Sequence, residues 1–120
     1  MPKNLFIYYP KCSTCKKAEK WLSEKGFVVE KRHIVDKNPT FEELTHWINL
    51  SRFPIKKFFN TSGLVYKSMN IKDKFGLVTE KELLELLSSN GMLVKRPLII
   101  TEKGVSVGFD EEEWLKLLEK

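Results

Sequence analysis

The chain has 120 residues, 42% of them hydrophobic and 31% charged, with a formal net charge of +5. That length fits one domain with enough chain for a sizeable core, and the composition fits a soluble globular protein. No run of about 18 apolar residues is present, and the N-terminus shows no signal-peptide core, so neither a membrane span nor secretion is expected and the cytoplasm is the expected location. The lysines are dispersed rather than blocked. They serve solubility and permit an acidic partner or an anionic substrate, with no direct nucleic-acid or membrane binding expected.

In chain order, residues 4–9 are apolar and β-prone, and predict a buried strand. A helix is predicted from about Ser13, with Cys15, Ala18 and Leu22 on one face, Trp21 beside them, and Gly26 as its stop. Phe27 to Val35 predicts a second strand, parallel to the first because a helix intervenes. After an Asp36–Pro39 turn, Thr40 and Glu43 form a capping box, followed by Phe41, Leu44 and Ile48 on one helical face; Trp47 is expected in the packing and His46 on the surface. Ser51 to Pro54 breaks that pattern, Ile55 to Phe59 suits a short helix, and Asn60-Thr61-Ser62-Gly63 is turn-rich. Thr79 and Glu82 make a second capping box before a leucine-rich helix that stops near Asn90-Gly91. Arg96 to Thr101 predicts an apolar strand with Pro97 at its start, and Lys103-Gly104 turns it back through Val105–Gly108. Asp110 caps a last helix, with Glu113 at N3 and Trp114, Leu115, Leu117 and Leu118 as its apolar residues.

The chemistry-bearing stretch is Tyr8-Tyr9-Pro10-Lys11-Cys12-Ser13-Thr14-Cys15-Lys16-Lys17, which holds both cysteines of the chain. A strand running into a helix with C-x-x-C at its first turn points to a redox site of the thioredoxin kind. The first N–H groups of a helix lack internal partners and carry partial positive charge, so a Cys12 thiolate would be stabilised there. Lys11, Lys16 and Lys17 add positive potential, which predicts a Cys12 pKa below the free value of about 8.5. Cys15 lies one turn further on, where it could attack a mixed disulfide at Cys12. A zinc site needs four ligands, and only His33 and His46 remain, at the wrong spacing. The alternative is that both cysteines are inert small hydrophobes, although a buried pair does not normally sit among three lysines at a helix start; a disulfide across so short a loop constrains the unfolded chain little.

With these elements placed, the chain resembles the arsenate reductase-like branch of the thioredoxin superfamily, which includes Spx-type regulators and small glutathione-linked reductases. The resemblance spans nearly the whole chain and is carried by Cys12-Ser13-Thr14-Cys15, Phe59–Gly63, Leu93-Val94-Lys95-Arg96-Pro97-Leu98-Ile99 and Val107–Glu112. It implies an α/β thioredoxin-like fold: a mixed four-stranded sheet flanked by helices, with an inserted helical subdomain. The core would be about 1–36 and 91–120 and the insertion about 37–90, in a single domain. It further implies a cis Pro97 facing the cysteine loop, with Arg96 beside it.

The implied activity is thiol–disulfide exchange, with Cys12 attacking, Cys15 resolving and Arg96 stabilising a thiolate or gripping an anionic group. Substrate is expected against Lys11, Ser13, Thr14, Arg96 and Pro97. No metal and no bound cofactor are expected; the activity is expected to be linked to glutathione, a candidate co-substrate, or to thioredoxin or glutaredoxin, with a small thiol or a protein disulfide as the expected partner. Arsenate-reducing members usually carry C-x-x-S and three arginines. Here only Arg96 matches one, with Asn60 and Phe109 in the other two places, so arsenate reduction is expected to be weak. The alternative is a redox-sensing regulator that binds RNA polymerase, as Spx-type members do. Those carry a glycine in the loop after the second main helix, and Asn49–Pro54 has none.

Overall fold

Leu5–Tyr8 forms the inner strand β1 of the computed structural model, which describes residues 4–119. β2 (Glu30–His33) runs parallel to it, from Leu5 opposite Glu30 to Tyr8 opposite His33. On the other side β3 (Leu98–Thr101) is antiparallel, placing Phe6 opposite Ile99, and β4 (Gly104–Val107) closes a hairpin with β3. The sheet order is β2-β1-β3-β4. This is the mixed four-stranded sheet that the resemblance implies.

The chain divides into two compact units. One runs to His33 and resumes at Arg96; the other is Ile34–Lys95. In the first, the sheet carries α1 (Ser13–Lys25) and α6 (Glu111–Leu118). Ala18, Trp21 and Leu22 of α1 meet Phe6 and Ile99 of the sheet and Trp114 and Leu118 of α6 in one core. Phe6 and Trp114 are fully buried, each contributing roughly 1.5–3 kcal/mol by leaving water. Phe109 stands edge-on to Trp21 and Trp114, with ring centroids 5.6 and 5.0 Å away. Asp110 caps α6 by accepting the Glu113 N–H at 3.2 Å.

β2 is shorter than the predicted Phe27–Val35. The end of α1 consumes the first part of that run. Gly26 is left-handed, with φ 75°, its N–H donates to the Ser23 carbonyl, and the Phe27 N–H donates to the Leu22 carbonyl. These are the two bonds of a Schellman motif, and the Phe27 ring lies 5.7 Å from Trp21 as its hydrophobic contact. Phe27 therefore finishes a helix instead of opening a strand. At the far end the chain turns over 34–37.

The second unit is helical: α2 (Phe41–Ser51), α3 (Leu64–Ser68), α4 (Ile71–Lys74) and α5 (Glu80–Ser89), with 3-10 turns at Ile55–Phe58 and Gly91–Leu93. Both capping boxes form, Thr40 with Glu43 and Thr79 with Glu82. Trp47 is buried and His46 exposed, as their helical positions predict. α3 and α4 are too short to show a period in sequence, and Asn70 at φ 53° breaks between them. α5 does not end on a left-handed glycine. Asn90 is extended and its side chain accepts the Met92 N–H at 2.9 Å. Gly91 is needed for a different reason: a Cβ there would collide with the backbone carbonyl of Ile34. Among the described residues no helix is long and apolar enough to cross a membrane.

Candidate thiol site

Cys12 is the N-cap of α1. Its backbone is extended, with φ −91° and ψ 119°, and its Sγ accepts the N–H of Cys15 at 3.4 Å. Serine, threonine or aspartate usually occupies that position, because a side-chain acceptor there satisfies an orphan amide. A cysteine in that role has its sulfur aimed at the positive end of the helix. The first turn of α1 contains no acidic residue to oppose it. A turn brings it there, closed by the Cys12 N–H donating to the Tyr9 carbonyl at 3.0 Å.

The two thiols differ in environment. Cys12 is half-buried, whereas Cys15 is only 2% exposed. The Cys15 Sγ accepts the backbone N–H of Tyr9 at 3.4 Å. Burial pushes the Cys15 thiol from 9.0 up to about 12; the Tyr9 N–H opposes this, the hydrogen bond and negative charge of Cys12 add to it, and the Arg96 charge opposes it. Both cysteines are free thiols.

Arg96 belongs to the same neighbourhood, since its charge is felt at Cys15. It is half-buried, its guanidinium lies over the Tyr9 ring at 5.0 Å from the centroid, and its bond to Pro97 is cis. Pro97 is buried, and its carbonyl accepts the Gly108 N–H at 2.8 Å. Lys11, Ser13 and Thr14 are all exposed, Lys11 in the turn and the two hydroxyl residues in the first turn of α1. The loop thus brings together Cys12, Cys15 and Arg96, with Lys11, Ser13 and Thr14 lying beside them in the chain. Asn60 and Phe109 have structural work. The Asn60 N–H donates to the Leu93 carbonyl at 2.7 Å, and Phe109 packs in the aromatic core. Among the described residues no group of three His, Cys, Asp or Glu side chains could hold a metal ion.

Sequence reasoning passed over Tyr9. It reads as the end of a strand, yet it touches Cys15 through its N–H and Arg96 through its ring. Its position past the carboxyl end of a parallel strand was the available signal, because ligand sites of open α/β sheets gather there.

The model of the ArsC family matches residues 7–117. The chain belongs to the ArsC family. An ArsC family related protein from Bacteroides fragilis is 57% identical, covers 96% of this chain and 97% of its own, and superimposes with a TM-score of 0.92. The uncharacterized protein YusI of Bacillus subtilis is 48% identical over 91% of this chain and 92% of its own length. The global transcriptional regulator Spx of Enterococcus faecalis is 32% identical over 91% of this chain and 81% of that protein. The ArsC family thus joins this chain to relatives with a regulatory role as well as to one without an assigned role.

Proposed function

We propose that this ArsC-family protein is a cytoplasmic thiol–disulfide oxidoreductase in which Cys12 attacks and Cys15 resolves. One observation carries the reading: a half-exposed thiol at a helix cap lies against a buried thiol whose proton is held firmly. The Cys12 thiolate attacks one sulfur of a disulfide, forming a mixed disulfide and releasing the other half as a thiolate. At that moment Cys12 loses its negative charge and its hold on the Cys15 proton, two of the causes that push Cys15 up. The Tyr9 N–H and the Arg96 charge remain to favour a Cys15 thiolate. Cys15 gives its proton to solvent and attacks the Cys12 sulfur, displacing the second half of the substrate. Two electrons pass to the substrate, and the pair is left as a disulfide. Glutathione or another thiol then returns two electrons. The substrate lies against Lys11, Ser13, Thr14, Arg96 and Pro97, with Arg96 gripping an anionic group.

Arsenate is a poor substrate on this reading, because Asn60 and Phe109 supply no cationic donors. The test of the exchange chemistry is a Cys15→Ser variant, which cannot resolve and should accumulate a mixed disulfide at Cys12 with glutathione or a protein. Absence of any adduct after exposure to oxidised glutathione and to cell extract would sink it.

The likeness to Spx supports a second reading, a redox-sensing regulator in which the same pair switches binding to RNA polymerase. The absence of glycine from Asn49–Pro54, where α2 ends on Arg52, weighs against it. Retention of RNA polymerase by the oxidised but not the reduced protein would favour the regulator.

A further inference from the structure

We propose that Tyr9 is the positioning residue of the thiol site, holding Arg96 through its ring while its backbone N–H is fixed on Cys15. The inference rests on the thiol–disulfide reading and adds to it the device that keeps the cationic arm in place. Arginine carries much rotamer freedom, and a guanidinium left to solvent spends little time at any one point. The Tyr9 ring supplies a face for it, at 5.0 Å from the centroid. That ring is itself braced: His33, opposite Tyr8 in the strand pair, stands edge-on to Tyr9 at 5.9 Å and 77°. The main chain of Tyr9 is held at both ends of the loop. Its N–H donates to the Cys15 Sγ and its carbonyl accepts the Cys12 N–H. Ring and thiols therefore belong to one rigid turn, and whatever Arg96 rests on moves with the cysteines.

The consequence is selectivity by charge. With Arg96 parked on Tyr9, an anionic substrate arm, such as the carboxylate of a thiol peptide, meets a cation held on the turn that carries the cysteine pair. Removing the ring takes that face away from Arg96 and weakens the preference without touching either cysteine.

The test uses two reagents of one chemistry that differ in charge. Cys12 of the reduced full-length protein is alkylated with iodoacetate, which is anionic, and with iodoacetamide, which is neutral, and the ratio of the two rates is taken. The ratio cancels the nucleophilicity of the thiol and reports the cation near it. Tyr9→Leu should lower the ratio roughly threefold, in keeping with a partly exposed cation–π contact. Tyr9→Phe, which keeps the ring, should hold it. Arg96→Ala should lower it at least as far, and adding Tyr9→Leu to Arg96→Ala should lower it no further, because the two act as one unit. A wild-type ratio in Tyr9→Leu, a loss in Tyr9→Phe, or a further fall in the double variant each overturns the proposal. A measurement without variants guards against misfolding: the Arg96 δ-methylene protons should resonate upfield under the Tyr9 ring current, and random-coil positions would overturn the proposal. Neither readout needs turnover. If Cys15→Ser traps nothing while these results come out as expected, the exchange chemistry falls and the positioning role stands.

Discussion

Raising the pH should destabilise this protein through Cys15. The side chain is 2% exposed and its pKa is pushed from 9.0 to about 12, with burial as the largest cause. In the unfolded chain the thiol ionises near 9.0, while in the folded chain it stays protonated. The contribution is therefore fully present below that unfolded value and is lost as pH rises towards the folded one. Between about pH 8 and pH 10.5 the loss amounts to about 2 kcal/mol. Urea unfolding of the reduced protein at both pH values, followed by tryptophan fluorescence, measures it, since Trp21 and Trp114 lie in the same core as α1. With a urea dependence of about 1–3 kcal/mol per molar, the midpoint should move by roughly 1 M. The comparison is with Cys15→Ala, which keeps every other ionisable group and removes this thiol. Wild type should lose about 2 kcal/mol more than the variant. Equal losses would show that the folded environment does not hold the Cys15 proton.

Cys12 should be alkylated first, with Cys15 spared until the protein unfolds; equal labelling by mass spectrometry would contradict the difference in burial. Gly91→Ala should cost about 1–3 kcal/mol in urea unfolding, because a backbone carbonyl has to give way. Arsenate turnover with glutathione and glutaredoxin should be about a hundredfold or more below that of a site with three arginines, at about 1.5–3 kcal/mol per missing contact; robust turnover lost in both Cys12→Ser and Arg96→Ala would refute this. Phe109→Arg should destabilise by about 1–3 kcal/mol through the loss of two edge-to-face contacts, which thermal melting would show.

The features legible in the sequence are those whose partners lie close along the chain. Thr40 with Glu43, Thr79 with Glu82 and Asp110 with Glu113 close their hydrogen bonds within one helical turn, so residue type and spacing suffice. The hairpin of β3 and β4 and the parallel pairing of β1 with β2 follow from the length of what connects them. Cys12 and Cys15 at a helix start are legible for the same reason, and so is the apolar face of α1.

What only the tertiary structure decided depends on contacts between distant segments. Phe27 is apolar and could have continued β2, but the end of α1 takes its N–H and Trp21 takes its ring. Gly91 looks like a helix stop, whereas the backbone of Ile34, far away in sequence, is what excludes a side chain there. Residue type and spacing put Cys15 one turn beyond Cys12; the packing around it set how firmly it keeps its proton. Tyr9 and Arg96 are separated by most of the chain, and no local pattern relates them. The antiparallel pairing of β3 with β1 starts just beyond Arg96 and brings its guanidinium to the Tyr9 ring. Spacing along a chain encodes what one turn or one connection can reach, and contacts between distant segments wait for the tertiary fold.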